Sequence, residues 1–152
     1  MPISAEEART EILAELGVAE QQLELALGCL GEAFELLAVG AAERLEGELF
    51  RPIQRAYARA KRTRAGFAER VGLPAPTPER LLTGGASQGA KALVERAAEA
   101  AGEADRALSE LQDSMLPVEA GDAELRSGLS EAREQLAGVE RAAADFLRTF
   151  GR

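Results

Sequence analysis

Apolar positions recur along this chain at helical spacing from near its start almost to its end. Leu16, Leu23, Leu30 and Leu37 stand seven apart, Ile12, Ala19, Ala26 and Ala33 each fall four places before one of them, and Leu13, Leu27 and Phe34 widen the stripe. Such a period turns one face to a core only if the backbone is α-helical. The start is marked by Ser4-Ala5-Glu6-Glu7, a capping box in which the serine hydroxyl and the glutamate carboxylate each satisfy a free backbone donor. Gly28 and Gly31 lower the helix propensity of this stretch, a cost that a tight helix crossing can offset.

A second stripe runs through Leu49, Ile53, Ala56, Tyr57, Ala60, Phe67 and Val71 and stops at Gly72, a suitable residue to end a helix before Pro74. Between the two stripes the phase drifts across Val39-Gly40-Ala41-Ala42, and Pro52 comes ten residues later. Either the chain turns near Gly40, or it continues to Gly47 or through a kink at Pro52 as one rod. Matching lengths favour the turn, because the later helices are each about 30 residues and a closed bundle prefers similar ones.

Leu73-Pro74-Ala75-Pro76-Thr77-Pro78 cannot be helical throughout; Thr77 and Pro78 suggest a cap and first residue for one short turn over 79–82, followed by a Gly-rich loop. The second half is the most regular. Val94, Ala101, Leu108 and Met115 form one heptad set and Ala97, Ala104, Leu111 and Val118 another, broken at Pro117 and Gly121. Asp122 then caps a last helix whose seam is Leu125, Leu129, Ala132, Leu136, Val139, Ala143, Phe146 and Phe150. A connection of about five residues makes these two an antiparallel hairpin. The pattern therefore predicts an all-α, antiparallel up-down bundle of about four long helices with coiled-coil-like packing. Its helices cover roughly 4–38, 41–72, 88–116 and 122–150, with a linker over 73–87, in one domain of 152 residues.

Composition narrows the chemistry. Aromatic residues are only 4% of the chain, so the core must be built from Leu and Ala, as in packed helices rather than a sandwich or barrel. There is no apolar run of about 18 residues, and the start, Met1-Pro2-Ile3-Ser4-Ala5-Glu6-Glu7, is acidic and polar where a signal peptide is basic and then apolar; a cytoplasmic protein is expected. Cys29 is the one cysteine and histidine is absent, so no disulfide within the chain, zinc-finger pattern or Cys/His nucleophile pair is possible. Without histidine the E-x-x-H pattern of bundle-core metal sites is missing, and Glu103, Glu110, Glu131 and Glu134 fall beside the seams rather than on them. Gly84-Gly85-Ala86-Ser87-Gln88-Gly89-Ala90-Lys91 departs from a phosphate-binding loop: the lysine stands two places after the last glycine, and Ala92 replaces the Ser/Thr. It reads as a flexible linker to a helix capped near Ser87. No catalytic residue, cofactor, metal or small-molecule substrate is expected.

Charge is the informative feature that remains. Residues 1–50 hold 11 acidic and 2 basic side chains, whereas residues 51–72 hold 1 and 7, within a chain of net charge −8. At helical spacing Arg51, Arg55, Arg59 and Arg62 form a ridge opposite the stripe of Ile53, Ala60 and Phe67. The ridge is either a solvated face offset by the acidic first helix or a candidate anion-binding face. Arg64 falls on the apolar stripe itself beside Tyr57 and Phe67; buried there it needs a carboxylate partner. Nucleic acid is disfavoured by the acidic total and by a single tyrosine with no tryptophan. The expected role is protein–protein contact or self-association as a structural or adaptor oligomer.

The run Leu30-Gly31-Glu32-Ala33-Phe34, then Glu43 to Phe50, Pro52-Ile53 and the basic Arg55 to Arg64 is similar to the helix 1 to helix 2 region of membrane-bending BAR domains, over about a quarter of the chain. That resemblance implies a dimer of kinked three-helix coiled coils whose basic surface, here Arg51, Arg55, Arg59, Arg62 and Arg64, meets anionic lipid.

Overall fold

The computed structural model describes residues 3–150; Met1 and Pro2, where the acidic start begins, lie outside the described residues. Helix α1 spans Ala5–Leu36, and the Ser4 hydroxyl accepts the Glu7 N–H at 3.1 Å, the serine half of the expected capping box. The chain turns at Leu37 and Ala38, so the turning course is the one taken. Beyond the turn the backbone forms one continuous helical rod: α2 (Val39–Leu45), a π-helical turn (Glu46–Phe50) and α3 (Arg51–Val71). The wide turn sits directly before Pro52, whose ring crowds the carbonyl one turn back and which has no N–H to give; opening the turn absorbs both. Leu45, Leu49 and Ile53 thereby keep facing the core across the irregularity. Gly72 ends the rod at φ 69°, with the Leu73 N–H reaching the Ala68 carbonyl at 3.0 Å, as a left-handed glycine cap requires.

No helical turn forms between Leu73 and Gly85, so the short turn expected over 79–82 is absent; three prolines hold this segment extended instead. Nor is it a free linker. It lies along α1 as a strap, with Leu73, Ala75 and Leu81 packed on the core. The Arg64 Nη2 donates to the Pro76 carbonyl at 2.8 Å, the Gln21 amide to that of Glu79 at 2.7 Å, and the Thr83 hydroxyl to Glu32 at 2.8 Å. Gln88 folds the Gly-rich loop on itself by donating to the carbonyls of Thr83 and Gly85. After a 3-10 turn (Ala86–Gln88), Gly89 at φ 91° opens α4 (Ala90–Asp113) with no side-chain cap, so Ser87 does not serve as one.

α4 stops short of the expected 116. The Ser114 hydroxyl donates to the Leu111 carbonyl and accepts the Leu116 N–H, diverting the backbone into a short α5 (Leu116–Glu119). Met115 and Val118, expected on the seams, are consequently exposed. Asp122 caps α6 (Ala123–Leu136) by accepting the Leu125 N–H at 2.8 Å. The last helix is broken at Ala137 and Gly138 and resumes as α7 (Val139–Thr149). Both pieces keep the seam buried from Leu125 to Phe146, while Phe150 is exposed.

These elements form an all-α bundle. Each corner packs on antiparallel neighbours: α3 against α1, where Tyr57 meets Glu24 and Arg64 meets Leu13, and α3 against α6, where Thr63 meets Gly128 and Arg70 meets Asp122. α4 packs against α1, and also against α6 and α7. Because the strap carries the chain back along α1 before α4 begins, α3 and α4 run in the same direction on opposite corners. The core between them is almost wholly Leu and Ala, with Ile12, Cys29, Ile53, Phe67 and Phe146 filling the wider layers.

Candidate functional site

The arginines of the expected ridge divide into three kinds. Arg51, Arg55 and Arg62 are exposed, and among the described residues none has a carboxylate within ion-pair distance. Arg59 is half-buried and ion-paired with Glu131 of α6, and it also donates to the Thr63 hydroxyl at 3.3 Å. That bond from Arg59, before any other cause, holds the Glu131 carboxyl below its ordinary range. The ridge is thus answered from α6, not from the acidic first helix. Glu131, Glu134 and Gln135 share a shallow groove with Arg55, Arg59 and Arg62, so the ridge is a mixed surface at its centre and cationic at its flanks.

Arg64 does not belong to the ridge. It is only 9% exposed, and its partners are backbone carbonyls rather than the carboxylate expected from its burial: Nε donates to Leu13 at 3.2 Å and Nη2 to Pro76 at 2.8 Å. Gly17 makes this possible. A helical carbonyl points toward the residue four places on, and with no Cβ at 17 the guanidinium reaches the Leu13 oxygen; a Cβ there would stand 3.3 Å from Nε. The neighbouring Glu20 is buried, which pushes its carboxyl above the ordinary value; the field of Arg64, then Lys61, pulls the other way, and Glu24 adds to the rise. Arg64 therefore locks strap to α1 and α3.

A different surface comes forward where α1 turns into α2. Phe34, Leu36 and Val39 are 40%, 47% and 75% exposed. Beside them is a groove of about 240 Å³, floored by Leu30 and Leu45, walled by Phe34 and Phe50, and rimmed by Glu35 and Glu46. Periodicity places Phe34 on the core stripe; in the folded chain it forms the edge of this groove instead. The π-turn builds the opposite wall, since it carries Phe50. A heptad pattern alone does not reveal the groove, because it assigns Phe34 to the core. Gly31 gives no local signal of it, since it reads like any other glycine inside a helix.

The remaining candidates are structural. Cys29 is fully buried, and burial raises its thiol pKa above the ordinary value, so it packs as a small apolar residue. Glu103, Glu110, Glu131 and Glu134 are all exposed, and no group of three or more possible metal-ligating side chains is present among the described residues. No helix of the described residues is long and apolar enough to cross a membrane. The BAR resemblance implied a kinked three-helix coiled coil, whereas here the basic helix is one corner of a four-cornered bundle. No family model matches the chain, and neither a curated protein nor a solved structure does.

Proposed function

We propose that this protein works without catalysis, as a helical scaffold that contacts another protein through the end of the bundle formed by the α1 to α2 turn. The observation that carries this reading is the coincidence of the exposed Phe34, Leu36 and Val39 with the adjoining apolar groove. Large apolar side chains left in water are ordinary when scattered, but several at one end beside a concavity mark a contact surface. A photo-crosslinking residue in place of Val39, compared with one in place of the exposed Glu11, tests it in the cells that make the protein. Adducts to protein at 39 and not at 11 are expected. Equal labelling at both positions, or none at 39, overturns the reading.

A second reading, attachment to anionic lipid, is supported by the exposed Arg51, Arg55 and Arg62, which have no ion-pair partner among the described residues. Flotation with phosphatidylserine-rich vesicles at low salt tests it. Salt-sensitive binding abolished by reversing these three charges supports it, and absence of flotation removes it.

A further inference from the structure

We infer that the groove between α1 and the π-turn receives a basic amphipathic helix of a partner protein, which inserts one or two large apolar side chains between Phe34 and Phe50 and sets Lys or Arg against the rim. The inference rests on the proposed role of this end as a contact surface and names what it contacts.

Three observations carry it. The first is Gly31. A glycine inside a helix is less stable there than alanine, and two of the three glycines of α1 have contacts that account for them: Gly17 admits Arg64, and a Cβ on Gly28 would press Thr83 at 3.1 Å. Gly31 has nothing within 4 Å of where its Cβ would stand, so no contact among the described residues explains it. Its effect is to leave the groove open. The second is charge. Glu35 and Glu46 rim the groove, Glu43 lies on α2 and Glu32, which accepts the Thr83 hydroxyl, on α1, and the adjacent Arg44 is engaged with Glu48, the Thr149 hydroxyl and the Phe146 ring. The third is the helix end. α1 finishes here with no basic residue in its last turn, so no side chain of that turn answers the negative end of its dipole.

The same facts decide among occupants. A second copy docking symmetrically through this end brings acidic rim against acidic rim, and the C-terminal end of α7 is held at Arg44. An apolar face flanked by Lys or Arg satisfies groove, rim and dipole together, as a helix laid in a groove does.

The test uses the full chain and two labelled helical peptides of about 14 residues with one identical leucine face, one with lysine and the other with glutamate on its flanks. The key variant is Gly31→Leu, which adds an apolar side chain at a residue lining the groove without changing charge, at a position where a Cβ meets no described atom. The leucine/lysine peptide is expected to bind at micromolar concentration and the leucine/glutamate peptide not to bind. Gly31→Leu should weaken binding by tenfold or more, about the loss of one well-buried apolar side chain. Amide shifts should concentrate at Leu30 to Glu35 and Leu45 to Phe50. Equal binding by Gly31→Leu, equal binding of both peptides, or shifts spread over the acidic face each overturn the inference. If Val39 still crosslinks to protein while the lysine peptide fails, the basic occupant is wrong and the contact surface stands; if both fail, the reading of this end falls with it.

Discussion

Gly128 and Gly31 are the same residue inside two helices of the same bundle, and they do opposite things. At Gly128, α6 comes so close to α3 that an added Cβ would collide with the Thr63 hydroxyl and stand 2.7 Å from its methyl and 2.9 Å from its Cβ. At Gly31 an added Cβ meets nothing. The first glycine closes a seam, with the Arg59 to Glu131 pair and the bidentate Arg70 to Asp122 pair on either side of the contact. The second keeps a surface open. The role of a helical glycine is thus set by what the neighbouring helix brings to it.

The strongest way to break this comparison is Gly128→Ala. Rotamer changes relieve the hydroxyl and methyl contacts of Thr63 but not the one to its Cβ, so the helices must separate, at a cost of about 3 kcal/mol in urea denaturation. Thr63→Ala should recover part of that loss in the double variant, with a coupling of about 1 kcal/mol. Full additivity of the two changes shows that the crossing is looser than described.

Next in size is Arg64→Met, which keeps much of the buried stem and removes the donors to Leu13 and Pro76. A loss of about 2 kcal/mol is expected, since a buried carbonyl loses a charged partner. Limited proteolysis between Leu73 and Gly85 should then be faster than in the unaltered protein. Stability lost without cleavage in the strap separates the packing role of Arg64 from its role as a lock.

These two sites show where the sequence was legible. Helix identity, the stop at Gly72, the start at Asp122 and nearly every Leu and Ala of the seams follow from local rules of period and capping, while the turn into α2 was favoured only by matching helix lengths. What escaped depends on contacts between distant residues. Nothing local distinguishes Gly128 from Gly31, or indicates that Arg64 finds carbonyls 51 and 12 residues away instead of a carboxylate. The strap looks like a linker because its alternation of half-buried and exposed residues, Leu73, Ala75 and Leu81 inward, is masked by prolines and glycines. The basic ridge was visible as a pattern, but its partner Glu131 lies 72 positions on, so pattern alone could not show that Arg59 is taken and Arg55 free.

Gly31→Ala sharpens the comparison from the other side. The same substitution that damages the closed seam should stabilise the open one, by about 0.5–1 kcal/mol, through helix propensity alone. A shift of the urea midpoint upward for position 31 and downward for position 128 is the expected pair. A destabilising Gly31→Ala means that the groove is narrower than described and that Gly31 serves a crossing after all.

The smallest effect concerns Glu20, one turn from Gly17 and facing Arg64, Lys61 and Tyr57 of α3 with Glu24 beside it on α1. Burial raises its pKa in the folded protein above the ordinary 4.5, so the folded state holds the proton more tightly than the unfolded chain. The resulting penalty is absent below the unfolded value, grows as pH rises from there through the folded one and is complete above it. Glu20→Gln removes the ionisation and should raise the thermal midpoint at about pH 7 while changing it little at about pH 4. A lower midpoint at neutral pH means that attraction to Arg64 and Lys61 exceeds the cost of burial. In that case the lock between strap, α1 and α3 is an ion pair in energy even though its hydrogen bonds run to carbonyls, and the buried arginine stabilises through the charge that its position on the stripe first called for.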